Sequence, residues 1–150
     1  MNPNIHIQAE DFDVSDEVEA LTAEQPATGA VATFTGYVRG DGGLSALTLE
    51  HYPGMTEREI ARIAAEAATR WTLSGVTIIH RTGRLVVGER IVLVAVAASH
   101  RSAAFAACEF LMDYLKTRAP FWKQEERDGN ARWVEARDSD DAAAERWRKS

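Results

Sequence analysis

The chain has 150 residues, 45% of them hydrophobic and 27% charged, with a formal net charge of -6 and a pI near 5.2. That is enough apolar material for one core, so a single domain spanning 1–150 is expected, and the acidic balance argues against a general nucleic-acid binder, whose affinity comes from Lys and Arg neutralising phosphates. The N-terminus lacks a basic segment followed by an apolar run, and no window nears the roughly 18 apolar residues of a membrane span, so a cytoplasmic protein without a membrane segment is expected.

In chain order, Ile5 and Ile7 predict a short edge strand, and Asp13 or Ser15 caps a short helix carrying Val18 and Leu21. Residues 29–38, GAVATFTGYV, and the following run with Leu47, Leu49 and His51 alternating against Thr48 and Glu50 read as strands joined by the loop RGDGG. A helix is predicted to begin near Thr56, which with Glu59 makes a capping box; Ile60, Ile63, Ala64, Ala67 and Trp71 form its apolar face. GVTIIH and RIVLVAVAAS are two further strands, separated by TGRLVVGE, whose Gly83 and Gly88 suit turns or bulges. The second run is apolar on both faces and reads as a central strand. A helix then runs from about Ser102 to Arg118 on a buried stripe of Ala104, Ala107, Cys108, Leu111 and Leu115, and Pro120 stops it. FWKQEE and ARWVEA flank the hairpin signal Asp128-Gly129. DSDDAAAERWRK, acidic at its start and basic at its end, fits a terminal helix aligned with its dipole. The order β-α-β-β-α-β-β-α-β-β-α predicts an α+β domain with mixed or antiparallel sheets.

Chemistry concentrates in SHRSAAFAACEFLMDYLKTRAPFWK, residues 99–123, which gathers His100, Arg101, Lys116, Arg118 and Lys123 within an acidic protein. His100 and Arg101 fall where a strand gives way to a helix N-terminus. Free backbone N–H groups and the positive helix end suit a phosphate there, and Arg adds a bidentate fork; a helix cap and a surface salt bridge are the plain alternatives. Lys116, near a helix end, and Lys123, after a Pro-containing turn, are placed to converge on one pocket. Like charges at close range lower an amine's pKa and free one as base or nucleophile; the alternatives are a lysine neutralising the helix dipole and one on an edge strand. Arg39 ends a strand and enters a glycine-rich loop. His51 sits near enough in pattern to touch such a site, although a satisfied strand histidine fits as well. The histidines at 6, 51, 80 and 100 have no pairing that resembles a metal site, and no metal or other cofactor is expected. Phe121, Trp122 and Trp133 fit either a groove for a partner's tail or core and dimer contacts. The single cysteine, Cys108, excludes an intrachain disulfide; it lies on an apolar stripe, where thiols are inert.

Four segments in order, GAVATFTGYVRG, LTLEHYPGM, ASHRSAAF and MDYLKTRAPFWK, resemble the MoaE family, the large catalytic subunits of molybdopterin synthase. The likeness runs from about Gly29 to Trp147, with RGDGG shorter than the family's loop. The resemblance implies an α/β-hammerhead fold and a homodimer flanked by two small ubiquitin-like sulfur carriers, a heterotetramer overall. It also implies sulfur transfer from the carrier's C-terminal Gly-Gly thiocarboxylate to cyclic pyranopterin monophosphate. It assigns Lys116 to the carrier's terminal carbonyl and Lys123 to binding or protonating the pterin intermediate. His100 and Arg101 of a neighbouring subunit, with Arg39, are assigned to the pterin phosphate. For the dimer contact, the apolar strand at 91–98 and the aromatics near 121–133 are the expected surfaces. The competing readings are a noncatalytic module for a phosphorylated metabolite and an adaptor for a ubiquitin-like tail.

Overall fold

Short β-rich runs interleaved with amphipathic helical segments require sheets whose apolar faces are covered by helices. The computed structural model, which describes residues 1–134 and 138–148, meets that requirement with twelve elements among the described residues. These are β1 (Asn4–Gln8), α1 (Val14–Thr22), β2 (Ala30–Tyr37), β3 (Leu44–His51), α2 (Met55–Arg70), β4 (Leu73–Arg81), β5 (Gly83–Val86), β6 (Arg90–Ala98), α3 (Arg101–Thr117), β7 (Phe121–Arg127), β8 (Asn130–Val134) and α4 (Asp138–Glu145). They form two four-stranded sheets in the orders β1-β4-β6-β2 and β5-β3-β7-β8. β1 runs parallel to β4, whereas the remaining pairings are antiparallel, as the mixed α+β reading expects.

β6 shows why the first sheet is the centre of the molecule. Its alternate residues Val92, Val94, Val96 and Ala98 pack with Ile60, Ile63, Ala104, Ala107 and Leu111 from α2 and α3. On the other face Leu93 packs with Phe12 and Ile79, and Ala95 and Ala97 with Leu21 of α1. Each large side chain buried this way is worth about 1.5–3 kcal/mol. The strand is hydrogen-bonded on both edges, to β4 and β2, and buried from Val92 to Ala98. The expected use of 91–98 as a dimer contact is therefore wrong: its apolar character serves the core, and no face of it remains for a partner.

Three local expectations also change. The TGRLVVGE segment contains β5, whose Leu85 pairs with Leu47 and is 1% exposed; four residues with one buried side chain are too few to display a strand period. α2 begins at Met55, with Gly54 at φ 85 as its N-cap and the Glu57 side chain accepting from the Gly54 N–H. Thr56 and Glu59 thus do not form the capping box, and Glu59 pairs with Arg62 and Arg118 instead. Arg146 and Arg148 lie beyond the end of α4. Arg146 pairs with Glu109 and Asp113 on α3, and Trp147 Nε1 donates to Asp113 at 2.6 Å, so these two serve tertiary docking, while Arg148 pairs locally with Glu145 in the last turn of α4. The β7–β8 turn is as read: Asp128 and Gly129, at φ 50 and 81, are the left-handed pair of a tight hairpin. Glu135 and Ala136, which were included in that hairpin, lie outside the described residues. No described helix is long and apolar enough to cross a membrane.

Candidate active site

The buried stripe of α3, Ala104, Ala107, Cys108, Leu111 and Leu115 together with Phe110 and Tyr114, fixes the rotation of the helix and leaves Lys116 exposed in its last turn. Arg118 ends the helix, and Pro120, lacking an N–H, stands before β7. In the β3–β7 ladder His51 lies opposite Phe121 and Leu49 opposite Lys123. Phe121 and Lys123, two residues apart on one strand, share a face. That face is turned inward: Phe121 packs against the main core, and Lys123 is half-buried between the register partners Leu49 and Val134.

His80, near the end of β4, joins the two sheets at this point. Its ring stacks on Phe121 with centroids 3.8 Å apart and planes at 18°. Nδ1 lies 2.9 Å from the Arg81 carbonyl, which can only accept, so Nδ1 carries the proton and Nε2 is the basic nitrogen. Burial pushes the imidazole from its ordinary 6.5 down to about 4; the Arg81 hydrogen bond opposes this, while neighbouring Lys116 and His51 add to it. His51 Nε2 in turn lies 3.8 Å from Glu57 at the start of α2. Lys116 from α3 and His51 thus neighbour the histidine of this stack, and Lys123 lies two residues along β7 from its phenylalanine.

The other expected residues divide between two ends of the sheet. Tyr37, the last residue of β2, pairs with Arg90, while Ala30, its first, pairs with Ala98. Arg39 therefore follows the end of β2 that lies beside the start of β6, where Val92 also pairs with His80. It is 72% exposed and 3.0 Å from Asp41. The short loop is held from β7, because Arg127 Nη1 donates to the carbonyls of Asp41 and Gly42 at 3.0 and 2.6 Å. His100 and Arg101 sit at the opposite end, after β6. The β6–α3 corner is tight, since a Cβ at Gly29 would collide with the Ser99 carbonyl. His100 occupies the N-cap position, as the cap alternative expects, through its carbonyl, which accepts from the Ala104 N–H at 3.3 Å, and with no capping bond from its side chain. Arg101 is exposed and forms no ion pair among the described residues. From Arg101 to Lys116 the rise of α3 is about 22 Å, and the length of β2 separates Arg39 from His100 by roughly 25 Å. Within one chain Arg39 follows β2 at the end of the first sheet where His80 lies, and His100 and Arg101 lie at the other end.

The model of the family described as MoaE protein matches residues 7–118. The chain belongs to the MoaE family. Among its relatives is a molybdopterin synthase catalytic subunit of Mesorhizobium japonicum, 58% identical over 151 residues that cover 99% of this chain and 95% of that one. Among solved structures, the molybdopterin biosynthesis MoaE protein of Burkholderia ambifaria MC40-6 superposes with a TM-score of 0.85 at 55% identity, covering 97% of each chain. Molybdopterin synthase of Staphylococcus aureus gives a TM-score of 0.79 at 31% identity, covering 90% of this chain and 98% of that one.

Within this MoaE-family chain, two residues at the site escaped the sequence reading. His80 was one of four dispersed histidines, and nothing in the sequence places it against Phe121, 41 positions away in the numbering. Thr56 was assigned to a cap. The expectation for Cys108 agrees with its surroundings: it is buried, its thiol lies 3.8 Å from the Val94 carbonyl, and burial, aided by the charge of Glu109, raises it to about 11. A thiol so placed supplies no thiolate near neutral pH.

Proposed function

We propose that this protein is the catalytic subunit of molybdopterin synthase, a sulfurtransferase acting in the cytoplasm on cyclic pyranopterin monophosphate. The sulfur comes as the thiocarboxylate at the Gly-Gly terminus of a small ubiquitin-like carrier. A homodimer with one carrier bound to each subunit is the working assembly. What supports this reading is the half-buried His80–Phe121 stack, with Lys116 near enough to act on the imidazole and Lys123 two residues along β7 from Phe121, while the only cysteine is buried and its thiol held protonated. Sulfur must then arrive from outside the chain.

In this reading the Lys116 amine engages the carrier's terminal carbonyl and Lys123 binds or protonates the pterin intermediate. Both ammonium groups offset anionic charge, Lys123 from a half-buried position where electrostatic stabilisation is stronger than in water. Arg39 reaches the substrate from the loop after β2. His100 and Arg101, too far from Lys116 within one chain, bind the substrate phosphate in the neighbouring subunit's site, with helix N–H groups assisting. Purified protein mixed with thiocarboxylated carrier and the cyclic pterin should form the dithiolene product. Lys116→Ala should abolish most turnover while its thermal midpoint stays near wild type, because a solvent-exposed charge adds little stability. Near-normal product formation by that variant would remove Lys116 from the chemistry.

A further inference from the structure

Thr56 is a buried polar residue with no exposed surface, and it sits inside α2 rather than at its cap. Its hydroxyl has both of its roles occupied. Oγ1 accepts from the Tyr52 N–H at 3.0 Å and donates to the Pro120 carbonyl at 3.0 Å across 64 positions of sequence. Pro120 stands in the corner between α3 and β7, and that corner is the whole covalent connection between Lys116 and Lys123.

Other contacts reach the same corner without the same directionality. Arg118 lies 3.7 and 3.9 Å from Glu59 and Glu66 of α2, part-exposed pairs of the kind that contribute little. The Phe121 N–H donates to the Ala119 carbonyl at 2.9 Å, a bond local to the turn. The His80 stack fixes the plane of the Phe121 ring but makes no bond to the preceding carbonyl. Thr56 alone among these ties that backbone to a helix packed in the core.

We propose that Thr56 is a positioning residue for the reaction, its hydroxyl holding the α3–β7 corner so that Lys116 and Lys123 keep one fixed separation. This rests on the sulfur-transfer reading above. Without the hydroxyl, the Tyr52 N–H and the Pro120 carbonyl lose a partner at a part-buried place, and an unsatisfied group there drives the backbone toward a new arrangement. A shift on the order of 1 Å between reacting groups is enough to cost up to about a hundredfold in rate.

The test compares Thr56→Val, which keeps the volume and loses the hydroxyl, with Thr56→Ser, which keeps the hydroxyl and loses a methyl. Each is assayed with saturating thiocarboxylated carrier and titrated cyclic pterin, after circular dichroism confirms folding. Thr56→Val should lower kcat about tenfold or more with KM changed less than about twofold, and Thr56→Ser should retain most of kcat. Because a smaller folded fraction would also lower kcat, that fraction is read from the circular dichroism and only a loss of kcat beyond it counts for the proposal. Should Thr56→Val fail to fold, Thr56→Cys, close in volume with a weak donor, is read against the same outcomes. Unchanged kcat in the hydroxyl-free variant, or an equal loss in Thr56→Ser, overturns the proposal. Wild-type protein that forms no product removes the sulfur-transfer reading itself, a failure visible before any variant is compared.

Discussion

Two inactive variants of this protein should restore one another when mixed. Arg101 opens α3 and Lys116 lies in its last turn, about 22 Å away at 1.5 Å per residue, a distance no arginine or lysine side chain spans toward a common phosphate-bearing substrate. If a site combines Lys116 of one subunit with Arg101 of the other, a dimer of one Lys116→Ala chain and one Arg101→Ala chain contains one doubly damaged site and one intact site. Random exchange of equal amounts makes about half of the dimers mixed, so activity should climb from the level of the separate variants to about a quarter of wild type. The assay is dithiolene formation before and after subunit exchange, with mixed dimers counted by native mass spectrometry. Mixed dimers at the expected abundance with no gain in activity would refute the shared site and require both groups to act within one chain.

Cys108→Ala should remain active and lose on the order of 1 kcal/mol from reduced packing, measured by chemical denaturation; a folded but inactive variant would reopen an internal sulfur relay through the thiol now held near 11. The depressed imidazole of His80 should appear as a pH dependence of stability. Because its folded value is about 4 against an ordinary 6.5, the unfolded chain binds the extra proton in that interval, so this contribution is present above about 6.5 and is lost as the pH falls toward 4, by at most about 3 kcal/mol. His80→Phe, which keeps a ring on Phe121, should flatten that part of the thermal-midpoint profile; an unchanged slope would show that another group titrates there.

Patterns that depend on neighbours in sequence were sufficient for the elements and their faces. The doubly apolar run at 91–98 implied a central strand, the Ala104–Leu115 stripe oriented α3 and left Lys116 outward, and Asp128-Gly129 specified a left-handed turn. Such features follow from side-chain period and backbone sterics, which act within a few residues. Four ordered motifs also sufficed for the family, and with it the site residues to propose. Tertiary structure decided what depends on packing between distant segments. The strand that looked available for a dimer is sealed between α1 and α3, because apolar character has no direction until both faces have found their cover. Thr56 turned from a helix cap into a bridge to Pro120, and His80 from an isolated histidine into a ring stacked on Phe121, since both assignments need partners 64 and 41 positions away. The separation of Arg101 from Lys116 belongs to both levels: their place on one helix is written in the sequence, but only the straight, packed α3 converts fifteen positions into a span of about 22 Å.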